Sequence, residues 1–167
     1  LYPEVDQFKV RRGEVVANSG QTGIGVPHLH YEIRDAANQP VNPRLLGITW
    51  PDTTRPVLRK VAVFPDGPDS RVNGDIAPVV LDLKPLGQGR YSCAPIRARG
   101  RIGFGVDVVD PANEGASKLG IHALRATIDG TELFRVQHDR ISYDNRENEI
   151  VAYHPHLLDR GRFLLLW

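Results

Sequence analysis

The sequence is poor in the features that mark several large classes of protein. Its 167 residues include no methionine and a single cysteine, Cys93, so no internal disulfide can form. We expect Cys93 to be buried as a small apolar residue. No segment approaches the ~20 consecutive apolar residues of a membrane-spanning helix. Aromatic residues make up 7% of the chain and the formal net charge is +1, with the charges interspersed. Composition therefore gives no electrostatic reason to expect nucleic-acid binding.

Glycine and proline, by contrast, are abundant. Sixteen glycines and 13 prolines punctuate short runs in which apolar and polar residues alternate, and this pattern is typical of an all-β protein. The segment from Trp50 to Pro56 places two prolines around a polar stretch and predicts a boundary. We therefore predict two domains, residues 1–50 and residues 56–167.

The second predicted domain has the spacing of strands and turns of an immunoglobulin-like β-sandwich, incomplete at its C-terminal end. In residues 100–109, alternation predicts one buried face, and Asp129-Gly130 is a strong two-residue hairpin signal. In the first domain, Asp35–Gln39 is predicted to be a polar hairpin loop. The strands predicted for the second domain are Val57–Phe64, Ala77–Leu83, Arg90–Ile96, Gly100–Val109, Gly120–Ile128, Thr131–Gln137 and Glu149–Tyr153.

Two histidines, His28 and His30, carry the most informative pattern in the chain. We predict strands at residues 14–17 and 28–34. The two histidines are two residues apart in the second strand, so both imidazoles would project from one face, with their backbone positions about 7 Å apart. One imidazole can bind a metal while the other contacts a metal-bound water or a substrate oxygen. The residues predicted to point the other way, toward a core, are Leu29, Tyr31 and Ile33.

The flanking sequence extends this pattern. The segments that carry this longer pattern are Val10–Ala17, Ser19–Gly23, Pro27–Arg34 and Val41-Asn42-Pro43. Over roughly the first 45 residues, this combination resembles the C-terminal part of the catalytic domain of lysostaphin-type zinc metalloendopeptidases, also called LytM-like or beta-lytic peptidases. One position differs from the family pattern: Val26 stands where relatives often have a small residue. The resemblance implies part of the antiparallel sheet of a duplicated hybrid motif.

The resemblance also implies roles for individual residues. His30 would be a ligand of a catalytic Zn²⁺, and His28 would be a catalytic histidine beside the metal. Glu32 shares a predicted strand face with both, and two interpretations stay open: it orients an imidazole, or it is a solvated carboxylate. The family's other two ligands, a histidine and an aspartate, belong to an upstream His-x-x-x-Asp motif, and no histidine precedes His28. We therefore expect a fragment of a longer protein, inactive by itself.

The function implied by the resemblance is hydrolysis of peptide bonds in bacterial peptidoglycan, in an extracytoplasmic location. The β-sandwich would be an accessory module and could meet a partner protein of the cell envelope. Two alternatives remain: a non-catalytic relative that binds and activates cell-wall amidases, and a module that only binds the cell wall. The other histidines, including those of His154-Pro155-His156, are predicted to lie in surface turns or on solvent-facing positions rather than to bind metal.

Overall fold

The structure is a computed structural model, and it describes residues 4, 6–22, 25–49, 51–111, 113, 118–145 and 152–166. It is mostly β, with 39% of residues in strands and 6% in helices, and its sheets are antiparallel. The predicted all-β class is confirmed at this level. The finer assignment, a peptidase sheet followed by an immunoglobulin-like sandwich, stays a prediction, as do its limits of 1–50 and 56–167. By internal contacts the chain divides into two units, Leu1–Glu32 and Ile33–Trp167.

The first unit contains turns and extended segments but no strand within its described residues. The predicted strands at 14–17 and 28–34 are therefore wrong; within the second of these, only Arg34 has a bridge partner, Pro40. Leu29 and Tyr31 are 86% and 67% exposed, so the expectation that they point into a core is also wrong. An extended segment becomes a strand only when a neighbour binds its backbone groups.

A tight hairpin opens the second unit, as predicted. The backbone N–H of Val41 donates to the carbonyl of Ile33 at 2.8 Å. Within Asp35–Gln39, the Asp35 carboxylate accepts hydrogen bonds from the backbone N–H groups of Ala37 and Gln39. An aspartate that binds backbone donors two and four residues ahead stabilises such a turn without further packing.

The rest of the second unit is built from short strands and single-turn helices. The described strands are β1 (Val57–Pro65), β2 (Arg71–Val72), β3 (Val79–Asp82), β4 (Lys84–Gly87), β5 (Arg90–Ser92), β6 (Ala98–Arg99), β7 (Ile102–Pro111), β8 (Lys118–Leu119), β9 (Ala123–Ile128), β10 (Thr131–Gln137) and β11 (Leu164–Leu165). The described 3₁₀ helices are Pro43–Leu46, Tyr143–Asn145 and Pro155–Leu157.

The main sheet has the order β11-β7-β1-β3, and β8 pairs with the end of β7. The other described pairs are two-stranded: β9 with β10, β2 with β6, and β4 with β5. Asp129 and Gly130 join β9 to β10 with φ values of 50° and 80°, as the predicted hairpin requires. Six of the seven predicted strands are confirmed, Thr131–Gln137 with the predicted ends and the other five with shifted ends. Most of the seventh, Glu149–Tyr153, lies outside the described residues.

Both faces of β7 are covered, which corrects the prediction of a single buried face. Gly103, Gly105 and Asp107 alternate with the residues predicted to be buried, yet all three are buried themselves. The ring of Phe64 packs over Gly103, and the Phe163 side chain lies against Gly105. Glycine has no side chain, so each position leaves room for an aromatic side chain from another segment. The core contains Phe163, Ala62 and Leu157, with Val80 beside them.

An ion pair between a buried carboxylate and a half-exposed guanidinium lies between the two central strands of the main sheet. The carboxylate of Asp107, whose residue is 4% exposed, accepts hydrogen bonds from the Nε and Nη2 atoms of Arg59. The register between β1 and β7 shifts between Leu58 and Lys60, so Arg59 is the extra residue of a bulge. This carboxylate therefore has a partner despite its burial, as a buried charge requires.

The single cysteine is exposed rather than buried, so that expectation is wrong. Cys93 follows directly after β5, where the chain leaves its ladder and has no strand until β6. A small apolar residue is buried only where the surrounding segments pack over it, and a connecting segment on the surface offers no such cover.

Gly103 offers a direct test of the packing over β7. A Cβ atom added at this position would overlap with the Phe64 ring. We expect Gly103→Ala to lower the free energy of unfolding by about 1–3 kcal/mol, measured by urea denaturation. Gly120→Ala is the control, because no atom of the described residues lies within 4 Å of its added Cβ, and it should change stability by less than about 0.5 kcal/mol. Equal effects of the two changes would contradict the packing described.

His154 should make stability depend on pH. Its Nδ1 is buried and has no hydrogen-bond partner in the described structure, and its ring lies edge-on to Phe64 at 4.7 Å between centroids. Burial, and then the neighbouring His156, hold the pKa of His154 below its usual range. The imidazole therefore binds a proton more readily in the unfolded chain than in the folded one. The free energy of unfolding then rises with pH at values below about 6.5, and this stability is lost as the pH is lowered through that range.

We expect His154→Gln to remove this component. Urea denaturation at about pH 7.5 and about pH 5.5 should show a smaller loss of stability for the variant than for the natural chain. His138→Gln, at an exposed position, should keep the natural chain's pH dependence. If His154→Gln keeps it as well, His154 is not its source.

Candidate metal centre

The His28 imidazole is held by a local backbone contact. Its Nδ1 lies 2.7 Å from the carbonyl oxygen of Val26. A carbonyl oxygen can only accept, so Nδ1 carries the proton and donates it. The other ring nitrogen, Nε2, then keeps its lone pair. His28 is exposed, so this lone pair is available to a metal, a water or a substrate group.

The chain before His28 makes this contact possible. Gly25 has a φ of 88°, in the left-handed region that favours glycine, and Pro27 restricts the backbone that follows. The bend brings the Val26 carbonyl back toward the ring two residues later. Val26 departs from the family pattern in its side chain, but its contribution to this contact is its backbone carbonyl.

The His30 imidazole is held in the opposite tautomer. Its Nε2 lies 2.8 Å from the Glu32 carboxylate and donates to it, so in the neutral ring the lone pair is on Nδ1. The His30 side chain is 73% exposed, while that of Glu32 is 23% exposed. Glu32 therefore contacts one of the two predicted site histidines directly. Its role toward a metal stays a prediction.

The donor atoms suit zinc. Zinc binds imidazole nitrogens and carboxylate oxygens, and a ligating histidine usually donates its other ring N–H to a carboxylate or a carbonyl. His30 has this arrangement with Glu32, and His28 has it with the Val26 carbonyl. His30 would hold the ion through Nδ1, and His28 would present Nε2 beside it.

The described residues do not complete a metal site. No group of three or more histidine, cysteine, aspartate or glutamate side chains comes together among them. A catalytic zinc normally has three protein ligands and one open position. Further ligands would therefore have to come from residues other than those the structure describes.

The remaining histidines make local contacts within the second unit. The His122 Nε2 donates to the Asp139 carboxylate at 2.8 Å, and that carboxylate also accepts a hydrogen bond from Gln137. The rings of His154 and His156 are 6.1 Å apart at an angle of 69°. The pKa of Asp139 lies below its usual range, and its hydrogen bond with His122 is the largest cause. These contacts give structural roles to residues that sequence reasoning left as solvent-facing or turn positions.

One carboxyl group at the end of the long central strand is half-buried. Asp110, at the end of β7, has an Oδ1 atom that is buried and has no hydrogen-bond partner in the described structure. Burial raises its pKa, the charge of Asp52 raises it further, and Arg44 opposes both effects. Asp110 and Asp52 are 58 positions apart in the sequence, so only the folded chain brings their charges together. Two carboxyl groups beside one guanidinium do not form a complete metal site.

The described residues include no helix long and apolar enough to cross a membrane. Comparisons of the chain with protein-family models, with curated proteins and with solved structures find no match. The resemblance to lysostaphin-type peptidases therefore depends on the residues quoted for it.

Proposed function

We propose that this chain belongs to a bacterial zinc metalloendopeptidase that hydrolyses peptide bonds in peptidoglycan outside the cytoplasm. The observation that carries the proposal is the histidine pair, in which each imidazole is oriented by a hydrogen bond and keeps one exposed lone pair. The glycine and proline residues that flank the pair, at the spacing of the lysostaphin-type motif, support the same assignment. The resemblance implies a further histidine and a further aspartate as ligands, and the proposal requires them from the rest of the full-length protein.

The chemistry follows from the two tautomers. A bound Zn²⁺ lowers the pKa of its water to about 7 and polarises the scissile carbonyl. His30 would supply one ligand, with its ring orientation kept by Glu32. His28 Nε2 would accept the proton of the attacking water, and its Nδ1–H would stay on the Val26 carbonyl, so the ring does not rotate as it takes up charge.

A second candidate is a non-enzymatic relative that binds and activates cell-wall amidases, or that binds the wall alone. One observation favours it: among the described residues, no three side chains of metal-binding type come together. In that case His30 and Glu32 would form an ion pair on a binding surface. Zinc content and lytic activity of the full-length protein separate the two candidates, because only the peptidase needs both.

Replacing the two histidines one at a time should separate their roles. In the full-length protein, His30→Ala should remove zinc and lysis together because it deletes a ligand. His28→Ala should keep the zinc and lower the rate of lysis by about 10²–10⁴-fold, the usual contribution of a general base. Zinc content by atomic absorption and clearing of a peptidoglycan suspension measure the two effects.

His138→Ala is the matched control for these variants, because it removes an exposed imidazole from another part of the chain. It should leave zinc content and lysis unchanged. Retention of full lytic activity by His30→Ala would overturn the peptidase assignment. A natural protein without zinc or lysis that still stimulates an amidase would put the second candidate in its place.

Glu32→Gln tests whether Glu32 orients His30 or is only solvated. The substitution keeps the size of the side chain and removes its charge. If Glu32 orients the ligand, zinc affinity of the full-length protein should fall by about 10–100-fold in a competition titration with a chelator. An unchanged affinity would mean that Glu32 is a solvated carboxylate whose contact with His30 does not serve the metal.

A further inference from the structure

The two-stranded ribbon of β2 and β6 presents a polar face to solvent. Arg71 pairs with Arg99 across the ribbon, and Val72 pairs with Ala98. Val72 is fully buried, so the side of β2 that carries it faces the core, although its partner Ala98 is exposed. Alternate residues of a strand point to opposite faces, and direct cross-strand partners share a face. Arg71 and Arg99 therefore lie together on the outer face.

A third arginine extends this face. Arg97 lies two positions before Arg99, and the backbone N–H of Asn73 donates to its carbonyl, which continues the register of the ribbon. The guanidinium of Arg71 donates to the backbone carbonyls of Pro68 and Ser70. In the described structure the side chains of Arg97 and Arg99 make no hydrogen bond or ion pair. We call Arg71, Arg97 and Arg99 the arginine face.

This arrangement brings two positive charges together across the ribbon. Like charges directly opposite each other on two strands repel, and Arg71 opposite Arg99 is such a pair. The acidic residues nearby in the chain are Asp66, Asp69 and Asp75. Asp66 pairs with Arg101, and the Asp75 carboxylate accepts hydrogen bonds from the backbone N–H groups of the next two residues. An external anion could relieve the repulsion.

A groove lies beside the arginine face. It has a volume of about 560 Å³ and is lined by Asn73, Gly74, Pro95, Ile96 and Arg97. This volume is within the range of sites that hold small organic ligands. Its lining combines apolar surface at Pro95 and Ile96 with an amide and a guanidinium, so it suits a ligand with both apolar and anionic groups.

The outer edge of β6 is open within the described structure. The backbone N–H of Asn73 donates to the carbonyl of Arg97, and Arg71 is the ladder partner of Arg99. Hydrogen-bonded and non-hydrogen-bonded pairs alternate along an antiparallel ladder, so the N–H and carbonyl of Ala98 between them point away from β2. No described strand pairs with β6 on that side. The N–H and carbonyl of Ala98 can therefore bind the backbone of an added extended segment.

We propose that the arginine face, the groove and the open edge of β6 form a binding site for an extended acidic peptide. The peptide would pair with β6 through its backbone, and carboxylates at alternate positions would meet Arg97 and Arg99. Alternate side chains of an extended chain repeat at about 6.6 Å, and Arg97 and Arg99 are likewise two positions apart in the sequence. This match, together with the open backbone edge and the apolar lining, favours a peptide over a phosphate polymer. The proposal does not depend on the zinc site.

The test uses two fluorescein-labelled hexapeptides of the same composition, Glu-Val-Glu-Val-Glu-Val and Glu-Glu-Glu-Val-Val-Val. Fluorescence anisotropy should show saturable binding of the alternating peptide and weaker binding of the block peptide. Higher salt should weaken binding of the alternating peptide, because exposed charges are screened. The double variant R97Q/R99Q should weaken it by about five- to tenfold, the combined effect of two exposed ion pairs.

The control is R11Q/R12Q, which removes two exposed positive charges from the first unit. It should change the dissociation constant by less than about twofold, since its charges lie outside the proposed site. The proposal is overturned if the alternating peptide does not bind, or if the two double variants weaken binding equally. It is also overturned if tripolyphosphate displaces the peptide at lower concentration than unlabelled peptide does, because the site would then select phosphate.

Discussion

The antiparallel pairing of β1 with β7 is the constraint on which most of the second unit depends. It is the longest ladder described, and along β7 the Phe64 ring packs over Gly103 while the Cβ atom of Phe163 lies against Gly105. The C-terminal strand β11 follows Phe163 directly and joins the sheet, where Leu164 pairs with Val106 and Leu165 pairs with Gly105. The two glycines leave room for side chains from positions 39 and 58 residues away in the sequence.

The same pairing determines where charge can be buried. A bulge in β1 turns Arg59 toward Asp107, so a carboxylate inside the sheet has a cation within hydrogen-bond distance. Asp110, three residues further along β7, has one oxygen without such a partner, and its pKa is raised. One strand thus contains an acidic group paired with an arginine and another whose Oδ1 atom has no hydrogen-bond partner in the described structure.

The candidate metal centre depends on different physics. Its two imidazoles are oriented by contacts with residues two positions away, the Val26 carbonyl for His28 and the Glu32 carboxylate for His30. Such local hydrogen bonds need no packed core, which is why they occur in a unit whose apolar side chains are largely exposed. The ring orientation is therefore encoded within a few residues of the motif, whereas a complete set of ligands requires distant parts of a chain.

Sequence alone determined the features that depend on neighbouring residues. Turn chemistry placed the Asp35–Gln39 loop and the Asp129-Gly130 hairpin, alternation placed six strands of the second unit, and spacing singled out His28 and His30. The tertiary structure alone decided which segments are covered. The exposure of Cys93, Leu29 and Tyr31, the burial of both faces of β7, and the placing of Arg71 opposite Arg99 depend on which distant segment packs nearby. Periodicity describes the faces of one strand, whereas burial and register belong to pairs of segments, so a pattern read along a single segment does not contain them.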